Sequence, residues 1–516
     1  MRGAIVSVLI VALVSIPQSY VFAVGSPSAP EYKGGADGSG QTNTGTDSTV
    51  VFGAGSGQHS IVVSGSYAYI VTTASSTACA STVSNAGNGC EFKIFDISDP
   101  TAPTYVGGGD VSGSTNAGTG SKTLRGIALS GTNAYIVGAG SATACSQTAG
   151  SAIGCELQVW DVSTPSAPAY IGGGDVSGST NTGTGSLDVL DVAITGNNLY
   201  AVTTGSATAC SGTAGSGIGC EVQLWGISTP SAPNYRNGND ASGSANSGTG
   251  NVAFRSIAID SASTTRAYTL HTNSSTDCSA TAGSAIGCEF QIWNIATAST
   301  TYAGGGDSSG QTHKGTGAID GFGVSVSGNY AYTTWQNSAT TCSGNIGSGI
   351  GCEVKVWDIT NASSTYAEGM DASGSINSGT GNILGRQPFV SGNYLYTVFL
   401  NSATTCANSA GGGIGCELKI FDVTAPTTVT YIGGGDSSGS TNTGTGSGDS
   451  GTVFADSTHV YTGWQANGTT CSGTAGSAIG CELKIWEIGV AASPAEDPHD
   501  VINSTMIINT GSVILF

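Results

Sequence analysis

A Cys-Glu dipeptide recurs through this 516-residue chain at nearly equal intervals. Its seven copies lie 65, 65, 68, 64, 64 and 65 residues apart, and each opens a longer unit. The clearest unit spans residues 154–185 and reads GCELQVWDVSTPSAPAYIGGGDVSGSTNTGTG. A repeat of this period predicts one repeat domain rather than several independent domains, because such repeats bury their cores against one another.

Each unit predicts four short strands. In the second copy the third and fourth strands of a blade fall at residues 156–162 and 169–173. An inner strand at residues 187–195, a turn at Gly196-Asn197-Asn198 and a second strand at residues 199–204 follow. Short runs of Val, Ile, Tyr and Trp between Gly, Pro and Asn turns are typical of antiparallel meanders. The predicted fold is therefore all-β, a seven-bladed β-propeller over residues 24–489.

The two ends of the repeat region are incomplete in complementary ways. Residues 32–47 (YKGGADGSGQTNTGTD) match residues 170–185, but the Cys-Glu segment that begins every other repeat does not precede them. The last copy runs from Cys481 to Ile488, and no segment like residues 170–185 follows it. We therefore expect the N-terminal strand to complete the last blade, which closes the ring and removes exposed sheet edges.

The segments outside the repeats predict export. Residues 1–23 contain Arg2, an apolar run and a small-residue site at Val21-Phe22-Ala23, which is typical of a secretory signal peptide. No later segment has the length of apolar sequence that a transmembrane helix needs. A linker is predicted at residues 490–500. The β-prone residues 501–516 predict an extra strand, self-assembly with another subunit, contact with secretion machinery, or the start of a further domain.

Charge narrows the class of partner. The formal net charge of −20 and the pI near 4.3 argue against nucleic-acid binding, which requires basic patches that displace phosphate counterions. The expected partners are other surface or extracellular proteins, or polysaccharide.

The fourteen cysteines fall into seven local pairs, one in each predicted blade. This regularity predicts disulfides formed in an oxidising compartment. Zinc is the alternative, but a cysteine pair without His or a second pair at ligand spacing makes a poor tetrahedral site. The predicted pairs are Cys79 with Cys90, Cys145 with Cys155, Cys210 with Cys220, Cys278 with Cys288, Cys342 with Cys352, Cys406 with Cys416 and Cys471 with Cys481.

An aspartate starts the Gly/Ser/Thr loop of every copy. Its carboxylate, with Ser and Asn oxygens nearby, could bind calcium, the one metal ion that the sequence suggests. The alternative is that Asp and Asn cap the turn by accepting backbone N–H bonds. No other cofactor is predicted. These residues are Asp37, Asp110, Asp175, Asp240, Asp307, Asp371 and Asp436.

Basic residues concentrate at one register of the predicted inner strands. Aligned on the turn glycine or its equivalent, this register holds His59, Arg125, Leu190, Arg255, Phe322, Arg386 and Gly451. Only five arginines follow the signal peptide, and three lie here. His59, Arg125, Arg255 and Arg386 therefore predict an anion-binding site at the mouth of the axial channel. The alternative is that each arginine pairs with an aspartate of an adjoining loop.

Catalytic motifs are missing from the sequence. It contains no GxSxG, HExxH or phosphate-binding loop, and its five histidines occupy different repeat positions. No catalytic residues are predicted, and the chain is not expected to be an enzyme. An enzyme acting on polysaccharide at the axial mouth is retained as an alternative.

The repeats resemble the LVIVD-repeat family. The matching phrases are Ile94-Phe95-Asp96-Ile97-Ser98, Val159-Trp160-Asp161-Val162-Ser163, Val356-Trp357-Asp358-Ile359 and Ile420-Phe421-Asp422-Val423. The resemblance implies an exported propeller, commonly on a prokaryotic cell surface, and carries over no catalytic residues. The present unit is longer, and Gly226 and Asn294 replace the aspartate. The expected function is a cell-surface, adhesion or assembly module, and a calcium-dependent lectin-like binder is an alternative.

Overall fold

The computed structural model describes residues 27–28, 30–36, 59–72, 90–109, 111, 123–139, 155–174, 176, 188–204, 221–239, 254–260, 265–271, 289–296, 300–306, 321–335, 353–361, 364–370, 384–400, 417–435, 450–464 and 482–489. They form seven antiparallel sheets of four strands each. Neighbouring inner strands contact one another around the whole ring. The predicted seven-bladed propeller is therefore confirmed.

Every blade is a meander of an inner, a second, a third and an outer strand. The inner strands are β2 (Ile61–Ser64), β6 (Leu124–Ser130), β10 (Val189–Thr195), β14 (Phe254–Ile259), β18 (Gly321–Ser327), β22 (Leu384–Ser391) and β26 (Ser450–Ala455). The second strands are β3 (Tyr67–Val71), β7 (Asn133–Gly138), β11 (Asn198–Thr203), β15 (Arg266–His271), β19 (Tyr330–Trp335), β23 (Tyr394–Leu400) and β27 (His459–Trp464). The third strands are β4 (Phe92–Asp96), β8 (Leu157–Asp161), β12 (Val222–Gly226), β16 (Phe290–Asn294), β20 (Val354–Asp358), β24 (Leu418–Asp422) and β28 (Leu483–Glu487). The outer strands are β5 (Thr104–Gly109), β9 (Ala169–Gly174), β13 (Asn234–Asn239), β17 (Thr301–Gly306), β21 (Thr365–Met370), β25 (Thr430–Gly435) and β1 (Glu31–Ala36).

Blades 1 to 6 are continuous in sequence, starting with β2 to β5 as blade 1. The Cys-Glu unit therefore supplies the outer half of one blade and the inner half of the next. Blade 7 has the strand order β26-β27-β28-β1, so its outer strand comes from the start of the chain. Glu31 pairs with Glu487 and Ala36 with Leu483. Closure by the N-terminal strand is confirmed.

The N-terminal segment that closes the ring, which we call the seam, begins upstream of residue 32. In blade 7 the first glycine of the outer strand, Gly34, lies against the turn of blade 1, where an added Cβ would sit 2.6 Å from the Pro100 carbonyl. The matching glycine of blade 6, Gly433, lies against Ser28 in the same way. Ser28 thus occupies the place that the third-to-fourth-strand turn takes in other blades, and these glycines allow the close approach.

The core consists of one apolar layer between each pair of adjacent blades. Across the seam, Leu483 and Ile485 of blade 7 pack with Ile61 and Ile70 of blade 1. Each third strand also buries one Trp or Phe that meets an outer-strand tyrosine edge-on, such as Trp160 with Tyr170 at 5.8 Å. Aromatic pairs prefer this geometry, and it recurs in all seven blades.

The two ends of the propeller differ in their connections. At one end, two-residue turns such as Gly131-Thr132 join inner to second strands, and Gly196 adopts φ +56° as such turns require. At the other end, the second strand leads to the third, and the outer strand to the next inner strand, through 13 to 24 residues. We call these ends the turn face and the loop face.

Candidate functional site at the axis

The predicted basic register coincides with a β-bulge at the loop-face end of the inner strands. In blades 2, 3, 4, 5 and 7 the pairing with the second strand skips one residue, and in blade 6 it skips Arg386 and Gln387. His59 holds the matching place before β2, where its carbonyl accepts the Ile127 N–H at 2.8 Å. A bulge re-aims the side chain of the extra residue. The single residues that are skipped are Arg125, Leu190, Arg255, Phe322 and Gly451.

Two guanidinium groups converge on one aromatic ring. Arg255 Cζ of blade 4 lies 5.7 Å from the centroid of Phe322 of blade 5. Arg386 Cζ of blade 6 lies 4.9 Å from the same centroid. Both distances suit cation–π attraction, which is stronger in a desolvated position. Phe322 is only 5% exposed and Arg386 only 6%, so the ring and one cation are largely shielded from water.

The other two basic residues lie against carboxylates. Arg125 Nη2 is 3.4 Å from Asp188 Oδ2 at the start of the next blade's inner strand. His59 Nδ1 is 2.9 Å from Oδ2 of Asp191, whose side chain is fully buried. Burial lowers the pKa of His59, but the charge of Asp191 and its hydrogen bond outweigh burial, so the net pKa is raised. The His59–Asp191 pair joins blades 1 and 3.

Asp191 belongs to a belt of side chains one position beyond the bulge. The belt consists of Ser60, Gly126, Asp191, Ser256, Gly323, Gln387 and Thr452. Asp191 accepts N–H bonds from Val192 at 2.9 Å and Ile257 at 3.0 Å. Ser256 Oγ donates to Asp191 Oδ2 at 3.0 Å. Because inner strands are the axial edges of their sheets, these backbone donors have no neighbouring strand, and Asp191 satisfies two of them.

Gly126 makes the span from blade 3 to blade 1 possible. Blade 2 stands between them, and a Cβ on Gly126 would lie 3.1 Å from Asp191 Oδ1. On the far side of the ring, Ser60 N–H donates to Thr452 Oγ1 at 3.3 Å, and Thr452 Oγ1 donates to Gln387 Oε1 at 2.5 Å. The belt thus ties blades together across the axis.

The structure therefore divides the predicted anion site in two. His59 and Arg125 face carboxylates, which agrees with the alternative that basic residues of this register pair with aspartates. The aspartates differ from those expected, because Asp191 lies in an inner strand and Asp188 directly precedes it, whereas an adjoining loop was expected. Arg255 and Arg386 both lie against Phe322. The two parts differ in what the basic side chains contact, which is Asp191 for His59 and Phe322 for two of the arginines. Asp191 was not singled out from the sequence, although it is the only acidic residue in its column of seven.

The residues after the loop aspartates are held at the base of the loops. Val111 N–H donates to Glu91 Oε2 at 3.1 Å, and its carbonyl accepts from Gln158 Nε2 of the next blade at 2.9 Å. Val176 repeats this arrangement with Glu156 and Gln223. The seven loop aspartates themselves, which carry the calcium hypothesis, lie outside the described residues.

Of the fourteen cysteines, Cys90 and Cys155 lie in the described part of the chain. Both are disulfide-bonded, and their partners fall outside it. The hydroxyl of Tyr105 lies 3.6 Å from Cys90 Sγ, and that of Tyr170 lies 3.9 Å from Cys155 Sγ. One disulfide in each blade stays a prediction, as do the signal peptide and the segment at residues 501–516.

The aspartate of the LVIVD motif caps a turn. Asp96 Oδ1 accepts the Ser98 N–H at 2.9 Å, and Asp161 does the same for Ser163. Asp358 and Asp422 repeat the contact. These hydrogen bonds lower the pKa of Asp96 and Asp161. The motif residue is thus structural in this chain.

Two further features are absent from the described ranges. Within them, no group of three or more His, Cys, Asp or Glu side chains is placed to hold a metal ion. No helix in the same ranges has the length and apolar character needed to cross a membrane.

Comparison with known proteins supports the repeat assignment. The family model described as LVIVD repeat matches residues 55–75, 86–110 and 320–339. No curated protein matches the chain. Solved structures similar to it include the computationally designed Ika8 protein, with 11% identity over 85% of this chain and 100% of that one, at a TM-score of 0.38.

Two natural or ancestral folds are also similar. The N-terminal domain of Nup159 shares 10% identity over 87% of this chain and 99% of that one, with a TM-score of 0.36. An ancestral GH74 enzyme shares 10% identity over 88% of this chain and 49% of that one, with a TM-score of 0.42. At these scores neither likeness supports a ligand or an activity. The chain is a seven-bladed β-propeller that carries LVIVD repeats.

Proposed function

We propose that this chain is an exported recognition propeller, which acts at a cell surface or in an extracellular assembly by binding a partner rather than by catalysis. The support is the division of its two ends. Every blade places both of its long connections on the loop face, and the bulged basic residues stand at the axis on that same face. Loops on a rigid scaffold are where binding is usually found.

The observation that carries the proposal is the convergence of Arg255 and Arg386 on Phe322. The two cations come from different blades, so the closed ring fixes their separation. Guanidinium groups present planar pairs of N–H donors that match a carboxylate, sulfate or phosphate. The proposed ligand is therefore an acidic group, carried by a polysaccharide or by a surface protein.

Binding of trigalacturonate and of a heparin-derived hexasaccharide at low salt tests this proposal. The Arg255→Ala/Arg386→Ala double variant should bind at least one of them about tenfold more weakly than the wild type, because two charged hydrogen-bond donors are lost. Further loss of Arg125 should add little, since Asp188 already faces it. Affinity should fall as salt rises.

The matched control is Arg236→Ala/Arg266→Ala, which removes the same charge from turn-face strands. Arg236 donates to Asn198 and Arg266 to the Ile359 carbonyl. Equal weakening in both double variants would show a general charge effect and contradict the site. Release of reducing ends during incubation would favour the enzyme alternative.

A further inference from the structure

A cavity lies on the axis, mainly on the turn-face side of the belt. It encloses about 360 Å³ and extends from His59 to residues that adjoin the two-residue turns, such as Leu129, Ile194 and Val390. This volume falls within the range of small-molecule sites. Arg255 and Arg386 do not line it, although His59 of the same register does.

The wall of this cavity is strongly asymmetric at one level. The residue three positions beyond the bulge register is small in blades 2 to 5, where it is Ala128, Ala193, Ala258 and Ser325. The same position is Phe389 in blade 6 and Phe454 in blade 7. Their ring centroids lie 4.7 Å apart, and both side chains are partly exposed. The cavity therefore has an aromatic platform on one side and open space opposite.

The rest of the lining is suited to hydrogen bonding. The wall strands are the axial edges of their sheets, where no further strand of the same sheet pairs with their backbone. A neighbouring blade or a side chain already accepts the N–H groups of Ile127, Val192, Ile257 and Val390, so a guest would meet the backbone groups that remain. The rim at the turn face carries hydroxyl groups, each able to donate and accept. These are Ser64, Ser130, Thr195, Ser327 and Ser391, and all are at least partly exposed. Blades 4 and 7 have Asp260 and Asp456 at the same position.

We propose that this cavity binds one ring of a neutral saccharide. A sugar ring has an apolar face that can stack on Phe389 and Phe454, and hydroxyls that can meet the strand edges and the rim. A purely aromatic guest would cover those backbone groups without replacing their water, which is costly. An anionic guest finds no counter-charge in the lining, where the one ionisable side chain, His59, already faces Asp191. For a cationic guest, Asp456 at the rim already accepts hydrogen bonds from Thr458, His459 and Tyr461, and Asp260 is only 4% exposed.

The site is independent of the acidic-ligand site, so either can fail alone. Binding is measured with maltotriose, cellotriose and N,N′,N″-triacetylchitotriose by saturation-transfer NMR and calorimetry. At least one should bind the wild type, and Phe389→Ala/Phe454→Ala should weaken it about tenfold. Alanine is the residue of blades 2 to 4 at this position, so the fold should accept it.

Two further variants make the test decisive. Ala193→Phe fills the open side without touching the platform and should also abolish binding, which covers the case in which the double variant fails to fold. Arg236→Ala/Arg266→Ala, which lies away from the axis, should leave binding unchanged. If no trisaccharide binds the folded wild type, if 1-naphthol binds instead, or if binding survives both cavity variants, the proposal is wrong.

Discussion

Lys33 Nζ lies 2.5 Å from Glu487 Oε2, and this ion pair joins the two strands that close the ring. Lys33 also lies 3.0 Å from Glu31. The hydrogen bond to Glu487 is the main cause of the raised pKa of Lys33, and it outweighs partial desolvation. In blades 1 and 2 the position of Glu487 holds Asp96 and Asp161, which cap a turn. Blade 7 has no turn there, since its outer strand comes from the other end of the chain. The longer glutamate reaches across the seam instead.

Reversing the seam charges should destabilise the closed ring. Lys33→Glu and Glu487→Lys should each lower the free energy of unfolding by about 1 kcal/mol, because a partly exposed ion pair becomes a repulsion. The double swap should recover part of that loss. Urea unfolding of the four proteins measures the coupling. Additive losses in the double variant would contradict a pair that acts at closure.

Removing the closing strand should have a larger effect. Deletion of residues 32–47 takes away the partner of β28 and uncovers the core layer that Leu483 and Ile485 share with blade 1. We expect loss of cooperative melting, or aggregation through the exposed edge of β28. Calorimetry and light scattering measure both. A deletion variant that melts like the wild type would refute closure by this strand.

The repeats predicted the blades well because four strands with regular turns leave a local pattern in sequence. The second copy shows this, since strands predicted at residues 187–195 and 199–204 are Val189–Thr195 and Asn198–Thr203. Closure was predictable because two incomplete ends complement each other. Aligning on the turn glycine also placed the bulge register correctly.

What the sequence did not reveal depends on contacts between blades. The pairing of His59 with Asp191 joins two blades that are not neighbours, and it requires the glycine at Gly126 between them. Phe389 and Phe454 meet only because blades 6 and 7 are adjacent at the axis. In both cases a usable signal exists. Asp191 is the one acidic residue at its repeat position, and Phe389 and Phe454 are the two aromatic residues at theirs. Their partners can be identified only once the ring is assembled.

The cysteines should resist alkylation until they are reduced. Cys90 and Cys155 are disulfide-bonded, and each of the other twelve has a partner at similar spacing in the sequence. We expect proteolytic fragments that link Cys79 to Cys90, Cys145 to Cys155, and each later pair alike. Mass spectrometry before and after reduction measures this. Free thiols in the exported protein, or links between blades, would overturn the pairing.

Calcium binding to the loop aspartates would make the stability depend on the metal. A ligand that binds only the folded state raises the melting temperature. If the lectin-like alternative holds, a chelator should lower the melting temperature, and added calcium should restore it. If Asp110 and its counterparts cap turns, the two curves should coincide. A single Asp175→Asn variant separates the cases, because asparagine retains the cap but weakens a calcium site.

The His59–Asp191 pair should make stability depend on pH. The raised pKa means that folding favours protonated His59, whose ordinary pKa is 6.5. Its contribution is therefore fully present below pH 6.5 and is lost as pH rises through the folded-state pKa. The wild type should lose stability above pH 6.5. In His59→Gln, which removes the titrating group, that loss should be smaller.

Urea unfolding of the two proteins at several pH values from 5.5 to 9 measures the difference, in which the remaining histidines and carboxylates largely cancel. A Gly126→Ala variant serves as the geometric control, because its Cβ would lie 3.1 Å from Asp191 Oδ1 and disturb the pair without removing either charge. It should resemble His59→Gln in its dependence on pH if the carboxylate is displaced from His59. Parallel curves for the wild type and His59→Gln would show that His59 gains no protonation on folding, and that Asp191 acts only through the backbone donors of Val192 and Ile257.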